Sequence, residues 1–154
     1  MDKREGHVFS GNLLVASGVF PKALLRADQA KLLQGKLTKP PFAAVDYNLY
    51  VRPTSVRDSS SALIAWSPAE GAVNQFEFKN LADLRARFPQ FEAHSQTLDL
   101  EPDEILQSPE LKNYQPIRAL PVQTSLPADI VKLLGWPQQT TYAPGAYQPT
   151  GEKN

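Results

Sequence analysis

Apolar residues alternate with small or polar ones over several short stretches of this chain, and two of those stretches share a pattern. His7-Val8-Phe9-Ser10-Gly11-Asn12-Leu13-Leu14-Val15 and Ala43-Ala44-Val45-Asp46-Tyr47-Asn48-Leu49-Tyr50-Val51 align on Asn12 and Asn48, 36 positions apart, with Asn-Leu-x-Val in common. Each is a β-rich run with one Asn among apolar side chains. Repetition at a fixed spacing is the sequence form of stacked coils, because each repeat leaves an apolar face that only a neighbour covers. The first run predicts a strand over 7–16. Strict alternation puts Phe9, Gly11, Leu13 and Val15 on one face and Ser10, Asn12 and Leu14 on the other. The second predicts a strand from Phe42 to Arg52, entered through the extended Pro40-Pro41 pair.

Between them, residues 22–35 are rich in Ala and Leu and end at Gly35, which suits a helix. Leu24-Leu25-Arg26 suits a short strand equally well, with only Asp28 to Gln34 helical. A third strand is expected over Ser61–Trp66, ended by Ser67-Pro68-Ala69-Glu70-Gly71, and a brief alternating one over Gln75–Phe78. Asn80 to Phe88 predicts a short helix: Asn80 is placed to cap it, Pro89 closes it, and Leu81, Leu84 and Phe88 share one face. From 95 to 126 the pattern is irregular and punctuated by proline. Leu126 to Gly135 predicts a second helix, with Pro127 in its first turn and Gly135 as its stop. The tail past Tyr147 is polar and expected to fray.

Composition narrows the picture. A chain of 154 residues is long enough for a single domain with a real core. Sixteen basic residues balance sixteen acidic ones without a block of either sign, which argues against a nucleic-acid partner. No apolar stretch approaches the ~20 residues of a membrane helix, and the charged N-terminal residues do not read as a signal peptide. With no cysteine, disulfides, thiolate metal sites and cysteine nucleophiles are excluded.

Candidate chemistry is sparse. In a regular strand Asp46, Asn48, Tyr50 and Arg52 project from one face. A ring beside carboxylate, amide and guanidinium groups suits a carbohydrate, so Asp46, Tyr50 and Arg52 are the candidate sugar-binding residues. The opposing reading takes the repeated Asn12 and Asn48 as a structural ladder that satisfies backbone groups at a bend, and a bend would break the alternation. His7 and His94 lack metal-ligand spacing, and no metal or other cofactor is expected. The acidic run Asp99-Leu100-Glu101-Pro102-Asp103-Glu104 lacks the glycine and spacing of a calcium loop and reads as a solvated loop. Catalytic residues cannot be nominated: there is no Gly-x-Ser-x-Gly or phosphate-binding glycine loop. Arg26, Arg52 and Arg57 qualify as anion partners by type alone. Trp66 and Trp136 sit in apolar contexts and read as packed residues.

Three features in order carry a family likeness: Val45-Asp46-Tyr47-Asn48-Leu49-Tyr50, then Phe76-Glu77-Phe78-Lys79-Asn80-Leu81-Ala82-Asp83-Leu84, then Ala143-Pro144-Gly145-Ala146-Tyr147. Over about residues 7 to 148 the chain resembles the C-terminal end of bacterial right-handed parallel β-helix proteins of the pectate-lyase-like kind. Ser108-Pro109-Glu110 departs from the Ser-Pro-Ala turn of that pattern. The resemblance implies a mainly β fold with short flanking helices: coils over 7–78, a helix and proline-rich cap over 79–148, and a frayed tail over 149–154. It implies an exported protein that acts on or binds polysaccharide, as lyase, hydrolase or scaffold, with its chemistry in central coils that this sequence lacks. The isolated chain is then expected to be inactive, partnered by missing N-terminal coils or by itself. The alternative is a non-catalytic capping or protein-interaction module of a solenoid.

Overall fold

Both Asn repeats bend at the residue before their Asn. The computed structural model of the protein describes residues 6–27, 42–54, 62–67 and 76–147. Gly11 has φ 68° and Tyr47 φ 57°, both in the left-handed region. Each expected long strand is therefore two: β1 (His7–Ser10) and β2 (Leu13–Val15), then β4 (Phe42–Asp46) and β5 (Leu49–Val51). Glycine takes this conformation without a Cβ penalty, whereas at Tyr47 the Asp46 carboxylate accepts the Tyr47 N–H at 2.8 Å and supports the turn. The bend also ends the single alternating face expected for Asp46, Asn48, Tyr50 and Arg52.

The chain is mainly β, with four separate small sheets among the described residues. β1 lies parallel to β4, and β2 lies parallel to β5 with Leu13 opposite Leu49 and Val15 opposite Val51. β3 (Leu25–Ala27) lies parallel to β6 (Ile64–Trp66). This corrects the helix expected over 22–35 at its N-terminal part: Leu25 and Ala27 are buried while Arg26 points to solvent. That period of two, rewarded by pairing with β6, overrides the helical propensity of Ala and Leu. The rest of that segment lies outside the described residues, as do the residues from Pro68 to Gly71 after the third strand.

β7 (Phe76–Phe78) turns back antiparallel on β6 and leads into α1 (Leu81–Arg87). The Asn80 side chain accepts the Asp83 N–H at 2.8 Å, as its position before an apolar run predicts. β8 (Gln96–Leu98) then joins β5 in parallel. The stretch read as irregular holds this strand, two 3-10 turns, and an antiparallel pair, β9 (Leu106–Ser108) with β10 (Asn113–Pro116). α2 (Ala128–Leu134) stops at Gly135, whose φ of 67° lets its N–H reach back to the carbonyls of Val131 and Lys132.

Two cores result, one on each face of the β2–β5–β8 sheet. Leu14 and Tyr50 face a cluster that includes Leu25, Val45, Ile64, Trp66, Leu84 and Phe91. Leu13, Val15, Leu49, Val51 and Leu98 face the second cluster, where Ile105, Leu106, Leu120 and Val122 cover them. A strand covered on both faces reads as a continuous apolar run, which is why Leu49-Tyr50-Val51 is buried throughout. Trp66 is 2% exposed, with the rings of Phe91 and Phe42 centred 5.2 and 5.4 Å away. Trp66→Ala is expected to cost about 3–5 kcal/mol of unfolding free energy, measured by denaturant titration. A loss below about 1 kcal/mol would show that this core closes without the indole.

Candidate functional site

The bend at Tyr47 brings β4, β5 and the loop after α1 onto one polar cluster, whose centre is Asn48. Its amide is fully used. Oδ1 accepts the Asn12 backbone N–H and the Asn12 Nδ2, each at 3.0 Å. Nδ2 donates to the Phe9 carbonyl at 3.3 Å and to the Glu92 carboxylate at 3.2 and 3.3 Å. The Asn48 N–H donates to the Ser95 hydroxyl at 2.7 Å. Ser95 precedes Gln96, the residue opposite Leu49, so Asn12, Asn48 and Ser95 occupy equivalent places on three successive strands. In both steps the backbone N–H of one rung donates to the side-chain oxygen of the next. The ladder thus has a direction, and Ser95 is its last rung among the described residues.

Glu92 terminates it. This carboxylate is buried, and it accepts the Tyr50 and Ser95 hydroxyls as well as the Asn48 amide. Its backbone is left-handed at φ 57°, and its N–H donates to the Val45 carbonyl at 2.6 Å. Arg85 holds the loop from behind, donating from Nε to the Glu92 carbonyl at 2.7 Å and from a terminal nitrogen to the Ser95 carbonyl. Burial raises the Glu92 pKa, and its hydrogen bonds from Ser95, Tyr50 and Asn48 do not offset that. Burial likewise pushes the Tyr50 phenol upward, followed by the charge and hydrogen bond of Glu92.

On the solvent side the same loop presents His94. Its Nδ1 lies 2.6 Å from the Asp46 carboxylate, which also accepts the His94 N–H at 2.7 Å. The His94 ring stacks on Tyr47 at 4.6 Å with the planes 5° apart. Burial raises the Asp46 pKa, but the hydrogen bonds from His94 and Tyr47 outweigh it and leave the group below its ordinary value. With the proton placed on Nδ1, the imidazole leaves Nε2 without a hydrogen bond among the described residues. It borders a shallow groove of about 460 Å³ lined by Tyr47, Arg85, His94, Gln96 and Gln123. A carboxylate-held imidazole can move a proton, but the nearby hydroxyl, Ser95, is buried and committed to Glu92.

Burial separates the three candidate sugar-binding residues. Tyr50 has no exposed surface, and Arg52 is 4% exposed with its guanidinium on the carbonyls of Ala62 and Lys22. Only Asp46 of the three reaches solvent, and His94 occupies its carboxylate. Arg26 is exposed on β3, while Arg57 lies outside the described residues. Asp99 is exposed in irregular chain and accepts the N–H and hydroxyl of Thr54, and Glu101 and Glu104 form a reciprocal cap on a 3-10 turn. Among the described residues no group of three or more His, Asp or Glu side chains could hold a metal ion. Glu92, His94 and Ser95 carried no local signal, because their partners around the Tyr47 bend (Asp46, Asn48 and Tyr50) lie 42 to 48 positions away. No family model, curated protein or solved structure matches the chain.

A pH dependence follows from Glu92. The folded protein keeps its proton to higher pH than the unfolded chain, whose glutamates titrate near about 4.3. That contribution is complete below the unfolded value and is lost as pH rises through the folded one; Asp46, shifted the other way, loses its contribution as pH falls. Urea midpoints should therefore decline as pH climbs above the ordinary glutamate range, and Glu92→Gln should flatten the decline. An unchanged slope in Glu92→Gln would assign the dependence elsewhere.

Proposed function

We propose that this chain is the closing end of a right-handed parallel β-helix, a module that receives a coil on one side and seals the solenoid on the other. The observation that carries the reading is the one-way ladder from Asn12 through Asn48 to Ser95, which ends on Glu92. β1, β2 and β3 each pair in parallel on one edge and have no strand on the other among the described residues. On the far side β8 still runs parallel to β5, but β7 runs antiparallel to β6, and Ser95 with Glu92 stands where a third Asn would continue the ladder. A solenoid needs such an end, because an open parallel edge invites unplanned pairing.

Polysaccharide belongs to this reading through the likeness to pectate-lyase-like proteins. The non-catalytic alternative is favoured by two observations. Tyr50 and Arg52 are inside, and the second face of the β2–β5–β8 sheet is covered by Ile105, Leu106, Leu120 and Val122. What is left for the chain is to close and protect.

Two outcomes test it. Hydrogen bonds from Leu49 N–H to the Asn12 carbonyl and from Ala16 N–H to the Val51 carbonyl turn the backbone groups of Leu13 and Val15 to the free edge. The protein should form dimers or larger species by light scattering at high concentration, and Val15→Pro should shift it toward monomer while the thermal transition survives. A monodisperse wild-type monomer would overturn the open-edge reading. Incubated with acidic polysaccharides, the chain should release no unsaturated or reducing sugar; turnover would refute a purely closing role.

A further inference from the structure

We infer that the free edge of β2 is built to accept one kind of strand: a parallel one with Asn opposite Asn12 and apolar residues opposite Leu13 and Val15. The inference rests on the closing-end reading and deepens it by naming the chemistry of the partner. Three observations converge on this edge.

The first is the direction of the ladder. Asn12 donates from its backbone N–H and its Nδ2 to Asn48 Oδ1, both at 3.0 Å, and Asn48 passes its own N–H to Ser95. Asn48 and Ser95 therefore each offer a side-chain oxygen toward the β2 side of the sheet. Asn12 Oδ1 carries no hydrogen bond among the described residues, although Asn12 is half-buried. It has room for the two donors that Asn48 Oδ1 already holds, a backbone N–H and a side-chain amide, and only Asn or Gln supplies both from one residue.

The second is backbone pairing. The outward groups of Leu13 and Val15 offer a two-residue template for a parallel strand in the register that β2 and β5 keep. The third is an apolar groove of about 490 Å³ on this edge, lined by Leu13, Val15, Leu106, Pro109, Tyr114 and Tyr147. Tyr114 and Tyr147 stand 47% and 54% exposed on its walls. An added strand in register directs its first and third residues after the Asn to the face that Leu13 and Val15 occupy, and so into the groove. Leu49 and Val51 fill the same places one strand further in. The occupant that satisfies all three is a further coil of the same repeat.

The probe is a synthetic acetylated, amidated peptide of residues 42–54 of this chain, which carries Asn48, Leu49 and Val51 in the required order. It is titrated into dilute full-length protein, with amide exchange followed by NMR. Saturable binding that protects the Leu13 and Val15 amides is expected. The peptide with Asn48→Ala should bind about tenfold more weakly, the effect of one or two net hydrogen bonds. Tyr147→Ala in the protein, an exposed groove wall with no hydrogen bond to the ladder among the described residues, should weaken both peptides alike while leaving the fold unchanged by circular dichroism. Equal affinity of the two peptides, protection away from β2, or no binding at millimolar peptide would overturn the inference. If equal affinities accompany Val15-dependent self-association, the ladder rule fails and the closing-end reading stands. If the edge takes neither peptide nor a second copy, both fall.

Discussion

A buried amide governs this structure. Asn48 sits between two parallel strand pairs at the point where the chain must turn, and a turn inside a core strands backbone groups away from water. One unsatisfied polar group there would cost about 1–3 kcal/mol. Asn48 removes the problem by bonding the neighbouring Asn12 on one side, Ser95 and Glu92 on the other, and the Phe9 carbonyl across the bend. Because each bond reaches a different segment, the position of this one side chain fixes the register of β2 on β5 and of β5 on β8.

The end of the ladder is where the protein departs from repetition. A third Asn in place of Ser95 would again offer an amide in need of partners. Ser95 has a single proton to give, and Glu92 takes it. The carboxylate is an expensive way to finish: it is buried with no cation against it among the described residues, and its proton is held more tightly than in water. Four donor contacts from Asn48, Tyr50 and Ser95 make it tolerable, and Arg85 pins the backbone of the same loop rather than the charge itself.

The two faces of the central sheet divide the labour. One face joins an aromatic core around Trp66, and the other is closed by the proline-punctuated segment after β8. Among the described residues that cover leaves the β2 edge without a strand and borders it with a tyrosine-walled groove. An edge with unpaired backbone groups and apolar walls invites pairing with another strand.

Local chemistry settled what the sequence could tell. The return of Asn12's pattern at Asn48 is visible as a repeated string, and the alternation around each, the Asn80 cap and the Gly135 stop rest on neighbours within a few residues, so all were legible without a fold. The mainly β class followed from the same patterns. The strand at Leu25–Ala27 was legible only as an alternative, since Ala and Leu suit a helix until β6 supplies a partner. Which way Tyr50 and Arg52 point was decided by tertiary structure: a single left-handed residue, Tyr47, breaks the period of two on which a surface face depended. Glu92, Ser95 and His94 could not be foreseen, because their meaning comes from residues more than forty positions away that meet them only once β5 and β8 pair. A repeat in sequence can announce that strands stack, but which side chains are sealed between them is fixed by the chain that closes over the sheet.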